Sequence, residues 1–279
     1  MINLFLNSER QLRNGWWILI FFLVLAAFLV PVLITAQQKN MEVSMGIQAI
    51  IIILTSLVCQ VLRRKPLAEL FGKFDVHWFK ELCQGGLIGS VLMLTPALIL
   101  GMFGWVHWQW NPEVVPVLLP GLLLFAGVAV AEELLFRGFV FQRLLSGLGQ
   151  WIAQLIIAAF FLLTHLNNPG MTGSVKVMAS INIFLASILF GMAFIRTKSL
   201  AMPLGLHWLA NWVQGGFLGF GVSGTEQLGV LKPIFGEAPT WLTGGQFGLE
   251  ASLPGLICVV IALLAAYLMK PKILKVTLE

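Results

Sequence analysis

Charge is scarce in this chain. Only 10% of its 279 residues are charged, 17 Lys and Arg against 12 Asp and Glu, where an average soluble domain carries about 25%. So little charge cannot dress a water-facing surface, which excludes an ordinary soluble enzyme. A hydrophobic content of 58% excludes a disordered chain. Cysteine is as sparse. Cys59, Cys83 and Cys258 sit in or beside apolar stretches, an odd count without framework spacing, which supports neither a disulfide scaffold nor a Cys-rich zinc site. An H-E-x-x-H helix, a G-x-S-x-G nucleophile turn and a Gly-rich phosphate loop are all missing. No internal repeat or low-complexity tract is found either. What is there is hydrocarbon. The mean hydropathy is +0.92, the mark of a protein whose main solvent is lipid.

Eight apolar runs recur along the chain, over 15–36, 44–62, 82–104, 117–144, 150–166, 175–195, 200–220 and 251–269. Each approaches or exceeds the roughly 17–25 residues that a helix needs to cross a bilayer. Arg10 and Arg13 precede the first run, but its apolar core is longer than the ~7–15 residues of a signal-peptide h-region, so it reads as a retained span. The expected fold is an all-α, polytopic bundle of about eight transmembrane helices. Thirteen cations fall on one side of this arrangement: Arg10, Arg13, Arg63, Arg64, Lys65, Lys73, Lys80, Arg143, Arg196, Lys198, Lys270, Lys272 and Lys275. Lys39, Lys176 and Lys232 fall on the other, and Arg137 lies within a span. The positive-inside rule then puts both termini in the cytoplasm. It also accounts for the net charge of +5 without nucleic acid, which is not expected as a partner. Trp16, Trp17, Trp78 and Trp151 flank inner ends, while Trp105, Trp108 and Trp110 cluster at an outer end, as interfacial indoles do. Trp208 and Trp212 lie deeper.

Three charges remain in the lipid. Glu132, Glu133 and Arg137 share the fourth span, where each costs at least ~2.5–3.5 kcal/mol on insertion scales. Glu133 and Arg137 are four residues apart and can pair, as a brace for the bundle. That leaves Glu132 without a local partner, as suits a general base or acid. Two other spans carry polar pairs on one face: Phe161 with His165, and His207 with Asn211. At about 1.5 Å per residue, Glu132 lies roughly 16 Å above Arg143, and His165 roughly 22 Å above Gln150. His207 and Asn211 lie roughly 10 and 17 Å above Leu200. All four can therefore meet near mid-membrane. A carboxylate that takes a proton from water, imidazoles that hold it, and N–H groups aimed at an oxyanion make a kit for acyl hydrolysis without a covalent nucleophile. Glu and two His are also zinc ligand types, here available only across helices. His77 and His107 are read as loop residues without a partner at helical spacing.

These motifs resemble those of the CPBP family of intramembrane proteases, which includes the type II CAAX prenyl endopeptidases (Rce1-like) and the Abi and bacteriocin-immunity proteins. The family carries E-E-x-x-x-R, F-x-x-x-H and H-x-x-x-N/D on separate membrane helices. Here they read Glu132-Glu133-Leu134-Leu135-Phe136-Arg137, Phe161-Leu162-Leu163-Thr164-His165 and His207-Trp208-Leu209-Ala210-Asn211. The resemblance implies that Glu132 activates water with His165, that His207 and Asn211 stabilise the oxyanion, and that Glu133, Arg137 and Phe161 support the site. It leaves open a zinc or other divalent metal, held by Glu132, His165 and His207, against a metal-free, glutamate-dependent mechanism. It also implies a multi-pass protein of a prokaryotic plasma membrane that cuts a membrane-associated, CAAX-like or other peptide from the cytoplasmic side.

The chain divides accordingly. Residues 1–116 form a three-span region with an amphipathic inner-surface segment at 66–80. Residues 117–220 form the catalytic CPBP/Abi-like core, and 221–279 an outer loop or cap and the last span. Two other readings are a non-catalytic immunity or scaffold protein and a proton-coupled transporter. The second is weakened by the lack of repeat symmetry.

Overall fold

The computed structural model describes residues 4–269. Lys270, Lys272 and Lys275 of the inner cation set lie outside them. The fold is nearly all-α. In chain order it runs α1 (Asn14–Gln38), α2 (Met45–Leu62), α3 (Leu67–Phe71), α4 (Val76–Met102), β1 (Val106–Trp110), α5 (Leu118–Glu133), α6 (Phe139–Leu148), α7 (Gln150–His165), α8 (Gly173–Thr197), α9 (Ala201–Asn211), β2 (Leu231–Phe235), α10 (Thr240–Thr243) and α11 (Leu253–Leu268). Five stretches are long and apolar enough to cross a membrane: α1, α2, Leu67–Met102, Pro112–Leu148 and α8. The helices α7 and α11 are apolar but shorter.

Local chemistry sets the helix starts. Ser44 accepts from Ile47 N–H at 3.3 Å and Asp75 from Trp78 N–H at 3.0 Å, capping α2 and α4. Ser252 caps α11 through Gly255 N–H at 3.0 Å. Gly149, at φ +78°, supplies the left-handed residue that separates α6 from α7. The segment 66–80 is two pieces rather than one amphipathic stretch: α3, a turn at Gly72, and the first turn of α4. His77 is thereby helical, not in a loop, and its Nε2 meets Glu81 Oε1 four residues on, at 3.1 Å. His107 lies in β1.

A two-stranded antiparallel sheet, β1 with β2 in the register Val106↔Phe235 to Trp110↔Leu231, caps one end of the bundle. Its first strand, VHWQW, is β-branched and aromatic, a poor helix sequence suited to a pleated edge. Trp108 Nε1–H ties it to the carbonyl of Leu218 at 3.2 Å.

The closest helix pair is α4 with α9. Gly85, Gly89 and Gly205 line the crossing, and an added Cβ would strike the carbonyl oxygens of Met202, Leu206 and Leu82 respectively. The backbones are in contact, as small residues spaced by four permit inside a membrane. This contact fixes the height of α9 and of the His207 it carries.

Candidate active site

Two π-helical turns interrupt the bundle, and both follow residues singled out by the sequence. Leu134–Gly138 continues directly from Glu133, and Trp212–Phe217 from Asn211. Such turns widen the helix and re-aim side chains at functional sites. The first puts Glu133 and Arg137 wholly out of solvent.

Glu133 is the hub. Its Oε1 accepts from Arg137 Nη1 at 3.2 Å and from His207 Nδ1 at 2.8 Å. Arg137 Nη2 donates to the carbonyl and the hydroxyl of Ser187 on α8, at 3.0 and 2.8 Å. The guanidinium lies 4.9 Å from the Phe161 ring centre and 5.0 Å from that of Phe190. It is thus sandwiched between π faces as well as paired. The opposite charge and the hydrogen bonds offset the desolvation of both ions.

His207 stacks on Phe190 at 5.1 Å. An ionised carboxylate can only accept, so Nδ1 of His207 carries the hydrogen that Glu133 receives. That leaves Nε2 as the working nitrogen, 3.8 Å from Glu132 Oε2. Glu132 is partly exposed, and its Oε2 makes no hydrogen bond with the protein. His165 closes α7. Its Nδ1 meets the carbonyl of Phe161 at 2.7 Å. A carbonyl also only accepts, so His165 presents Nε2 as a bare lone pair.

Glu132, His165, His207 and Asn211 line one cavity of about 570 Å³, within the size range of ligand sites. Its walls are otherwise largely apolar, including Leu92, Phe125 and Leu189. Among the described residues, no group of three His, Cys, Asp or Glu side chains is placed to hold a metal ion. The set Glu132, His165 and His207 thus shares a cavity without forming a three-ligand cage.

Sequence reasoning missed three contributors. Ser187 holds Arg137, and nothing in its surroundings on α8 signals that role. Phe190, a turn further on, supports His207. Glu250 lines the cavity from the cap. Its Oε2 accepts from Ser223 N–H at 2.7 Å and from the Ser223 hydroxyl at 3.0 Å. The carbonyl of Ser223 in turn accepts from Asn168 at 3.0 Å, just beyond α7. Burial pushes the Glu250 carboxyl up from its ordinary value, against the Ser223 N–H and the nearby His165 and His207, which lower it. The signal for Glu250 was available: it stands alone before an apolar run at the end of a Gly-rich segment.

Residues 114–213 match the family described as Type II CAAX prenyl endopeptidase Rce1-like. This stretch of the chain is similar to the Rce1-like family. The match contains all three motifs and ends two residues after Asn211. No curated protein matches the chain. Five long apolar stretches and this similarity to a membrane family point to an integral membrane protein.

Proposed function

We propose that the protein is an intramembrane endopeptidase that hydrolyses a membrane-associated peptide with water activated by Glu132. The observation that carries this is the Glu132 carboxylate, without a hydrogen bond through Oε2 and 3.8 Å from His207 Nε2, in a cavity that His165 and Asn211 also line. Glu132 takes one proton from a water as the water oxygen bonds to the peptide carbonyl carbon. His165, with a bare Nε2, accepts the water's other hydrogen and positions it. The carbonyl oxygen becomes the oxyanion and meets the Asn211 amide and the Nε2–H of His207, whose ring acts here as the imidazolium, with a hydrogen on each nitrogen, between Glu133 and Glu132. Glu132 then returns its proton to the amine as the C–N bond breaks. Glu133 keeps the His207 ring in register through Nδ1, and Arg137 pairs with Glu133 from the next turn. No step passes through a metal, because the donors do not form a three-ligand group.

The placement of the cavity supports a different side of attack from the one expected. It is lined by the first half of α2, the last turn of α7 and the cap residues Ser223, Thr225 and Gln227. Arg137, Phe139 and Phe141, all buried, follow Phe136 of its wall in the chain before Arg143 at the basic end. With the basic end cytoplasmic, the mouth lies in the outer half of the membrane, so the substrate is a peptide presented from the extracytoplasmic side. The test is purified protein incubated with a membrane-embedded peptide, with and without chelator, and new termini read by mass spectrometry. Cleavage that survives chelation is expected. No cleavage would overturn the function, and loss on chelation with rescue by zinc would overturn the metal-free scheme.

A further inference from the structure

A second cavity, of about 1250 Å³, lies at the opposite, basic end, between the start of α1, the end of α2 and the end of α6. Among the described residues six cations line it, Arg10, Arg13, Arg63, Arg64, Lys65 and Arg143, and no carboxylate does. Glu69, approaching from α3, pairs with Arg63 at 3.1 Å and Arg143 at 2.9 Å. One carboxylate thus offsets a fraction of the charge. Arg143 is itself more than nine-tenths buried, and its Nε is a buried donor without a partner. A buried donor left unmet in a strongly positive pocket calls for an anionic acceptor. Beside the cations the walls carry a few neutral polar side chains, such as Asn14 and Ser146, and an apolar face that includes Ile18, Leu62 and Leu144, with Trp16 and Trp17 as interfacial residues. A soluble anion has no use for that hydrocarbon wall, whereas an acyl chain does.

We propose that this groove binds the phosphodiester headgroup of an anionic phospholipid from the leaflet at the basic end, with Arg143 and Arg63 at its floor and Arg64 and Lys65 at its rim. Basic pockets between membrane helices on the cytoplasmic side recognise such headgroups. The site is separate from the Glu132 cavity and does not depend on the protease reading.

The test uses the full chain purified in neutral detergent, titrated with phosphatidylglycerol, phosphatidylcholine or inorganic phosphate, with bound adducts counted by native mass spectrometry. Arg64 and Lys65 are exposed, and their side chains make no hydrogen bond or ion pair among the described residues. Their replacement in the double variant Arg64→Gln, Lys65→Gln therefore spares the fold, which a matching melting temperature in neutral detergent verifies. Phosphatidylglycerol is expected to bind and phosphatidylcholine not. Each lost surface cation weakens anionic lipid about fivefold, so the double variant is expected to bind roughly thirtyfold more weakly. Equal binding of the two lipids, or a variant that holds phosphatidylglycerol as tightly as wild type, would overturn the proposal. Inorganic phosphate binding as tightly as the lipid would overturn it in favour of a soluble anion.

Discussion

Replacing Glu133 by glutamine removes one charge and almost no volume. Its consequences follow from the two bonds that Oε1 accepts. Arg137, with no solvent exposure, would lose its direct counter-charge and keep neutral oxygens, those of Ser187 and of the new amide, the rings around it and the more distant charge of Glu132. Breaking a buried pair in this way costs about 3–5 kcal/mol, because an uncompensated charge stays behind. The His207 bond also falls from charge-assisted strength, about 1.5–3 kcal/mol, to that of a neutral hydrogen bond, about 0.5–1.5 kcal/mol. Taking the first figure as the total, and about 2–4 °C per kcal/mol for a chain of this size, the melting temperature should drop by roughly 6–20 °C. Thermal unfolding followed by the fluorescence of the ten tryptophans reads this directly. The double variant Glu133→Gln, Arg137→Met removes the orphaned charge and should regain much of the loss. A Glu133→Gln protein that melts within about 2 °C of wild type would refute the argument. So would a double variant whose loss equals the sum of the two singles.

Glu250→Gln keeps the Ser223 hydrogen bonds and removes a carboxyl whose folded value is raised. A raised value means the stabilising contribution is complete below the ordinary carboxyl value of 4.5 and is lost as pH rises through the folded one. The variant should therefore melt at a temperature equal to or above wild type at neutral pH, with a flatter pH dependence. A lower neutral melting temperature with an unchanged slope would contradict this. For orientation, Glu226→Cys on the cap and Lys65→Cys at the basic end, each placed in a chain with Cys59, Cys83 and Cys258 replaced by alanine, are to be labelled in intact cells with an impermeant maleimide. Labelling of the cap alone is expected, and labelling of the basic end alone would put the active-site mouth in the cytoplasm.

The sequence carried the chemistry further than the architecture. In a chain with so few charges, Glu132, Glu133 and Arg137 stood out because lipid makes each of them costly, and a spacing of four pointed to the Glu133–Arg137 pair. Spacing along one helix has no way of saying which carboxylate an imidazole on another helix will meet. His207 turns Nδ1 to Glu133 and Nε2 toward Glu132 because Gly85, Gly89 and Gly205 let α4 and α9 touch. That is a packing outcome rather than a pattern of polarity. The π turns after Glu133 and Asn211 are equally hard to read: both contain glycine, Gly138 in the first and Gly215 with Gly216 in the second, but glycine within a span marks close packing as readily as a π turn. Ser187 and Glu250 reach the network from elements with no motif, through contacts 50 and 27 residues away in sequence. The cap had a legible composition, rich in glycine and mixed in charge. Its strand pairing joins residues more than a hundred apart and could not be read from local alternation.

The central claim assigns chemistry to Glu132 and support to Glu133, next to one another on the same turn. Single-turnover cleavage of a membrane-embedded peptide by Glu132→Gln, beside wild type at matched melting temperature, separates the two. Glu132 makes no hydrogen bond through Oε2, so the variant should melt within about 2 °C of wild type while its cleavage rate falls about 10²–10⁴-fold. Cleavage at the wild-type rate by a folded Glu132→Gln protein would contradict the account.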